Sequence, residues 1–337
     1  MQFLQGIVFV LLVETLALMI ATRWLRRRVN KQYPTGWCRT KENFMADKAH
    51  RLTDEKLEEM EKRLSAIYSR ADKEITKKYN DLLQKISIQD RKKRELVEVG
   101  KLSEDEYKKW RKKKLLYEKQ AKERANEIAA ELSRVNEMAM AYVNGELPEI
   151  YGLNYNAIEK TIEEIGGYSF TLVDADTVRN LALSDETLLP YKYIDGNKDI
   201  RWNTKKVNAE ILQGILQGES IPDIAKRLSN VTEMNKTAAI RNARTSVTSA
   251  ECKGRQDSYI RATNDGIILK REWIATNDGR TRHSHRLLDG QIAEVDKPFK
   301  SELGDIMYPG DPEADPSNVY NCRCTIAAKV MGFKKVR

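Results

Sequence analysis

Trp273–Gln291 reads WIATNDGRTRHSHRLLDGQ, and Tyr308–Cys324 reads YPGDPEADPSNVYNCRC. Polar and turn-forming residues crowd both stretches. Asp278, Arg280, Thr281, Arg282, His285, Asp289, Gly290 and Gln291 fall within fourteen positions, and Cys-Arg-Cys closes the second stretch. Such side chains destabilise a fold when buried unless each finds a hydrogen-bonding partner. The segment is therefore either a tightly bonded structural element or a site. It also marks a change of texture. Upstream of Gly266 the apolar residues recur at helical spacing, whereas IILKREWIA (267–275), bounded by Gly266 and Asn277-Asp278-Gly279, has strand character. Helices first, then strands and ordered loops, predicts an α+β fold, mainly α: long N-terminal helices followed by a small C-terminal α+β domain.

Working outward, Lys297-Pro298-Phe299 leads toward a second short strand or turn, and Val319–Thr325 reads as a further strand carrying the cysteines. YPGDP sets two prolines around Gly310-Asp311, which predicts a rigid loop. Before the switch, AAIRNARTSVTSAECKGRQDSYI (238–260) is a helix expected to turn Ala, Thr and Cys inward and to display Arg241, Arg244 and Arg255. ESIPDIAKRLSNV carries Ser220 as N-cap and Pro222 in the first turn. It follows an amphipathic helix, Val207–Leu216, that ends at Gln217-Gly218. That helix–Gly–helix pattern suits a packed hairpin, and less well a DNA-binding helix-turn-helix. Ala157–Ile165 reads as a short helix, Tyr168–Val173 as a strand or extended connection, and Pro190 and Asp195-Gly196-Asn197 as turns.

Two long helices are expected in front. Residues 54–86 carry Leu57, Met60, Leu64, Ile67, Ala71, Ile75, Tyr79, Leu82 and Ile86 at alternating steps of three and four, with Thr53 or Asp54 as N-cap. A basic break follows at RKKRE. Ser103 and Glu106 form a capping-box pattern that opens the second helix, expected to stop around Asn144-Gly145 with Pro148 beyond. Narrow apolar stripes on charged helices must pack on each other or on a partner.

The leader differs from everything after it. Phe3–Thr22 is nearly all apolar and RWLRRR follows, a length that spans a bilayer with the basic cluster on the cytoplasmic side. Glu14 at mid-span would cost about 2.5–3.5 kcal/mol. Residues 23–44 match no element pattern, while Met45 opens a convincing helical protein. We expect the natural start at Met45 and an over-extended reading frame before it; the alternative is a membrane anchor. The expected divisions are a leader (1–44), a long-helix region (45–150), a mixed connection (151–204), a C-terminal domain (205–330) and a basic tail (331–337).

The 59 basic and 50 acidic residues leave a net charge of +9 with pI near 9.1, a lean toward acidic partners such as nucleic acid. RKKR (91–94) and KKWRKKK (108–114) are runs that would bind DNA non-specifically and salt-dependently, or simply form solvated helix faces. Cys38 and Cys252 are scattered, and Cys322 and Cys324 are too close for an easy mutual disulfide, which fits a reducing compartment.

These residues resemble the Mu protein F-like minor head proteins of tailed bacteriophages, also called phage head morphogenesis proteins. The resemblance rests on an ordered series: A-R-T (Ala243, Arg244, Thr245), Gly254-Arg255, W-x-A-T from Trp273, D-x-R-T-R (Asp278 to Arg282), H-x-x-L-D-G-Q (His285 to Gln291, with Asp289 and Gly290), P-G-D-P (Pro309 to Pro312) and N-C-R-C from Asn321. It covers about residues 205–330. One departure is visible: Ser246 stands where Glu commonly continues the A-R-T element, which weakens an ionic latch there. The resemblance implies a low-copy component of the virion interior, made in the bacterial host cytoplasm. It would associate with portal protein and packaged DNA, with scaffold or capsid protein as further partners, in procapsid assembly or DNA delivery. A membrane partner requires the leader to be real.

Two chemistries compete with a structural role. His283 and His285, like Cys322 and Cys324, are two apart, and residues so spaced on strands face one side, so they could approach a tetrahedral zinc. Only His285 falls on a motif position, which leaves His285, Cys322 and Cys324 as candidate ligands. The plainer reading has His285 bonded to Asp289 and the cysteines packed as small hydrophobes. Asp278, His285 and Asp289 beside Arg280 and Arg282 could alternatively serve a metal-dependent nuclease or other phosphoryl-transfer enzyme, and Cys322–His285 a nucleophile pair. Against enzymes, the chain has no phosphate-cradling Gly loop, no H-E-x-x-H and no G-x-S-x-G. The third class is a membrane-anchored assembly or ejection factor.

Overall fold

The computed structural model describes residues 48–166 and 195–334, with Asp174, Asp176, Thr177, Arg179 and Asn180 between them. The expectations for the leader, for Tyr168–Val173 and for Pro190 lie outside the described residues. The chain divides into two compact units, Met1–Asp47 with Glu159–Thr171 and Lys48–Ile158 with Leu172–Arg337; the packing below is that of the second. The fold is α+β and mainly α, as expected. In chain order it runs α1 (Lys48–Glu98), α2 (Glu104–Lys112), a π turn (Lys113–Tyr117), α3 (Lys119–Gly166), α4 (Gly196–Leu216), α5 (Ile221–Asn264), β1 (Ile267–Ile274), α6 (His283–Leu288), β2 (Ile292–Glu294), β3 (Phe299–Ser301), β4 (Gly304–Ile306), α7 (Pro316–Val319) and β5 (Thr325–Phe333).

Several boundaries follow the sequence signals. Ser103 and Glu106 form the full capping box. Ser220 caps α5 by accepting from Asp223 N, with Pro222 in the first turn. Others do not. Helix α1 is already formed at Lys48 and runs through RKKRE for 51 residues. Thr53 is no cap: it is buried within the helix, its hydroxyl donating to Ala49 O at 2.9 Å. The helix continues into the basic run because Asp90, immediately before it, is held by the Tyr107 hydroxyl at 2.8 Å and Arg111 Nε at 3.0 Å. Reversal waits for Gly100, whose φ of 68° suits only glycine readily.

Helix α3 does not stop at Asn144-Gly145 either, and Ala157–Ile165 is its last part rather than a separate helix. Proline inside a helix costs about 3 kcal/mol. Leu147, Ile150 and Tyr151 around Pro148 are all buried, and burial gives about 1.5–3 kcal/mol for each large apolar side chain, so packing wins. Asp195 is an N-cap rather than a turn residue, accepting from Asn197 N and Lys198 N. The α4–α5 junction at Gln217-Gly218 forms a packed hairpin, with Val207, Ile211 and Ile215 of α4 in one cluster with Ile221, Ile224 and Leu228 of α5.

Two apolar clusters share these helices. One joins α1 (Leu57, Met60, Leu64), α3 (Val143, Leu147, Tyr151) and α5 (Ala243, Val247, Ala250). The second adds α4 and the π turn, through Val207, Ile211 and Leu115. Gly254 brings α5 against α3 so closely that a Cβ there would lie 2.5 Å from Tyr151 O. A polar cluster links all four long helices. Tyr68 donates to Asn136 Oδ1 at 2.7 Å, Asn136 Nδ2 to Asp199 at 2.9 Å and to Asn235 Oδ1 at 2.7 Å, and Asn235 Nδ2 to Asn203 Oδ1 at 2.9 Å. Asn203 and Asn235 are buried. Satisfied buried amides penalise every helix register but one, because a slip would orphan them.

The sheet has order β2-β1-β5, all antiparallel, with β3-β4 a separate hairpin. The strand expected over Val319–Thr325 is shifted. Asp315 caps a short helix at Pro316, Asn321 takes a left-handed φ of 57°, and the strand begins only at Thr325. It then runs to Phe333, so residues read as a basic tail begin as sheet. No helix among the described residues is long and apolar enough to cross a membrane.

The start of α1 is tied to α5 and β5 by buried charges. His50 Nδ1 lies 2.8 Å from Glu251 Oε1, which also accepts from Thr325 Oγ1 at 2.8 Å, with Arg255 Nε at 3.5 Å. Arg255, expected on display, is buried and donates to Asn154 Oδ1 at 3.1 Å. Burial disfavours the His50 imidazolium, but Glu251 and Asp54 outweigh it and raise its pKa from 6.5 to about 9.

Two outcomes follow. Asn235→Ala strands Asn203 Oδ1 and one Asn136 N–H, and urea unfolding should show a loss of about 1–3 kcal/mol per orphaned group; an unchanged midpoint would remove the cluster's structural role. Because the His50 pKa is raised on folding, its contribution is complete below pH 6.5 and lost as pH rises through about 9. Wild-type stability should fall across that window, and His50→Gln should flatten that part of the profile.

Candidate functional site

The two polar stretches meet where α5, β1, α6 and the turn before β5 converge. Their centre is Trp273 on β1, fully buried, with His285 and Phe299 edge-on to it at ring-centroid distances of 5.3 Å. The loop after β1 is closed by its own side chains. Asp289 accepts from Ala275 N at 2.9 Å and Asn277 Nδ2 at 2.8 Å, and Gly290, at φ 79°, donates to Trp273 O at 2.8 Å. Gln291 carries the pattern on to β3, accepting from Lys300 N at 2.8 Å.

The Cys-Arg-Cys turn is pinned from both sides. Thr245 Oγ1 accepts from Asn321 N at 2.8 Å, and Thr248 Oγ1 donates to Cys322 O at 2.7 Å. Opposite, Thr276 Oγ1 donates to Arg323 O, Arg282 to Tyr320 O, and Arg323 to Asp278. The bond from Arg323, with the backbone N–H of Arg280 and the Thr281 hydroxyl, lowers the Asp278 pKa to about 2. Gly310 of P-G-D-P has φ 80° and packs on α5, where a Cβ would meet Ser249 Cα at 2.7 Å.

Most of the motif residues read from the sequence thus fall into one bonded assembly, Arg280 only loosely: it is exposed, 3.9 Å from Asp278. Arg244 stands apart. It grips Glu61 of α1 with two nitrogens, one at 2.9 Å, so a carboxylate from another helix serves where Ser246 supplies none. The acid/base constellation does not form: Asp278 is engaged by Arg323 and Asp289 by the Ala275 and Asn277 nitrogens, while His285 faces elsewhere. His285 Nε2 lies 2.9 Å from Asn318 Oδ1, not on Asp289. Nor are the histidines on a strand. Both lie on α6, where residues two apart diverge, so His283 is exposed and His285 buried.

His285, Cys322 and Cys324 do come together. Their donor atoms lie within 4.8 Å of one another, all buried. His285 Nδ1 is 3.3 Å from Cys322 Sγ and 3.5 Å from Cys324 Sγ, and Cys324 N donates to Cys322 Sγ at 3.4 Å. This trio could hold a soft metal ion, or bond as neutral groups. Cys322 and His285 are both buried, so the pair offers no exposed nucleophile.

Sequence reading missed Arg271. Its guanidinium is fully buried on β1, donating to Glu294 O at 2.9 Å, to Gln256 Oε1 at 2.7 Å and to the carbonyls of Met307 and Lys297, with the Phe299 ring 5.0 Å away. Burial lowers its pKa to about 10. The available signal was an arginine on the same strand face as Ile267, Leu269 and Trp273. Arg271→Met should cost on the order of 3 kcal/mol or more, since several buried carbonyls lose a charged donor. Amide exchange should show residues 292–308 losing protection first; full protection there would contradict the assignment.

Known proteins resemble parts of this chain. The Phage Mu protein F like protein family matches residues 205–327, which contain the whole ordered motif series. The chain is 32% identical over 123 residues to Minor head protein GP7 of Bacillus phage SPP1, covering 36% of this chain and 39% of that protein. It is 30% identical over 221 residues to NAD(+)--arginine ADP-ribosyltransferase EFV of Enterococcus faecalis (strain ATCC 700802 / V583), covering 57% and 43%. It is 25% identical over 198 residues to Uncharacterized protein YqbB of Bacillus subtilis (strain 168), covering 55% and 63%. The chain therefore spans 39% to 63% of the lengths of these relatives. No solved structure matches it. Residues 205–327 thus carry the match to the Phage Mu protein F like protein family and, over a stretch of the same length, the likeness to a minor head protein.

Proposed function

We propose that this chain is a minor structural component of a bacteriophage or prophage head, acting inside the virion with the portal protein during morphogenesis. The observation that carries the reading is the family match over the bonded helix–sheet junction, together with the likeness to a minor head protein. The geometry supports a scaffold role. The motif residues spend their polar groups on one another, and Asp278, His285 and Asp289 do not converge on a common point. The activity in the name of the ADP-ribosyltransferase belongs to that protein, of which this chain spans 43%.

The second partner in this reading is DNA, bound without sequence preference. The two basic runs meet at the α1–α2 corner, where Lys93 Nζ lies 5.4 Å from the Trp110 ring centroid. Arg94 is held by the Tyr107 hydroxyl, Arg111 by Asp90 and Lys108 by Glu104, which leaves Arg91, Lys92, Lys109, Lys112 and Lys113 as exposed cations to meet phosphates. Such binding is steeply salt-dependent. Scaffold and capsid proteins remain further candidate partners, and a membrane partner depends on the leader.

The test is co-expression with the portal protein of the same phage genome. The two should co-purify through affinity capture and size exclusion, and substitutions on the exposed helical faces should reduce capture while melting is unchanged. Failure to associate in both capture directions would contradict the portal assignment.

A further inference from the structure

His285, Cys322 and Cys324 form a buried trio whose donor atoms all point at one another. Asn318 Nδ2 donates to Gly304 O at 3.3 Å, which orients its amide so that Oδ1 faces His285 Nε2 at 2.9 Å. An acceptor at that distance places the ring proton on Nε2 and leaves Nδ1 bare. Asn318 is itself fully buried, so the tautomer is fixed by the fold. A bare ring nitrogen has one in-plane lone pair and accepts one S–H, yet two sulfurs lie 3.3 and 3.5 Å from it. Those separations are what a shared cation requires. With metal–sulfur bonds of about 2.3 Å, metal–nitrogen bonds of about 2.0–2.1 Å and a tetrahedral angle, nitrogen and sulfur stand about 3.6 Å apart. The Cys324 N–H toward Cys322 Sγ at 3.4 Å is a donor suited to a thiolate.

We propose that His285 Nδ1, Cys322 Sγ and Cys324 Sγ bind one zinc ion, with a non-protein donor such as water in the fourth position. Both thiols release their protons to solvent on binding, so two thiolates and a divalent cation make a neutral cluster, which burial tolerates. Asn318 is then a positioning residue that orients the imidazole. Zinc would join α6 to the turn preceding β5, and through the Thr248 hydrogen bond on Cys322 O to α5. Zinc binding here is independent of the portal and DNA assignments.

The experiment is metal analysis of full-length protein carrying no polyhistidine tag and purified without chelator. The expected result is about one equivalent of zinc in wild type. Cys322→Ser and Cys324→Ser should each hold under about a tenth of an equivalent. Cys252→Ser, a buried cysteine outside the trio, should keep its zinc. If the serine variants fail to fold, cobalt-substituted wild type reads the site alone, through a thiolate-to-cobalt charge-transfer band. Wild type with under about a tenth of an equivalent, and a Tm unmoved by added zinc, would overturn the proposal. So would an intact mass lacking two hydrogens from a Cys322–Cys324 disulfide, or a cobalt form without the band.

Discussion

A guanidinium without water around it governs the C-terminal half of this molecule. Arg271 is fully buried on β1, and its nitrogens reach Gln256 of α5 and the carbonyls of Glu294, Lys297 and Met307. Residues 292–308 contain only strands of three residues, one the edge of the three-stranded sheet and two a separate hairpin. Strands that short supply too few ladder bonds to order a loop. Beside the bonds of Gln291 and Asn318, one buried charge helps to order these, because it must be solvated by carbonyl oxygens and finds them when the loops close around it. The desolvation that would make an unpaired arginine intolerable is thus the force that assembles the region.

The same logic recurs upstream. The bonds among Asn136, Asn203 and Asn235 form only when α3, α4 and α5 share one register, and His50 reaches Glu251 only when α1 meets α5, with Thr325 of β5 on the same carboxylate. Apolar stripes supply the driving force but tolerate sliding; satisfied polar groups forbid it. Arg244 on Glu61 extends the principle to the family motif, tying the A-R-T element to a helix outside the matched residues.

Much of the fold was legible because it rests on local rules. The change from helical to strand texture at Gly266, the box at Ser103 and Glu106, the Ser220 cap and the hairpin at Gln217-Gly218 are all where the residues place them. Element ends were harder where packing overrides a local signal. Pro148 sits mid-helix because its neighbours are buried, and RKKRE stays helical because Asp90 is held from α2. Around the site, motif order located the bonded assembly but not the pairings, since partners such as Asn318 for His285 lie many residues away. Arg271 escaped notice because one residue pattern serves equally for a buried hub and a solvated strand face. Its burial is decided by loops that the strand itself does not encode.

These constraints describe a junction that holds helices in a fixed relation, within the residues that match the Phage Mu protein F like protein family. The most direct measurement is quantitative mass spectrometry of purified virions, with DNA-free heads alongside. The account predicts this chain inside heads, protected from external protease and present in far fewer copies than the major capsid protein. Virions that lack it entirely, assembled while it is abundant in the infected cell, would contradict it.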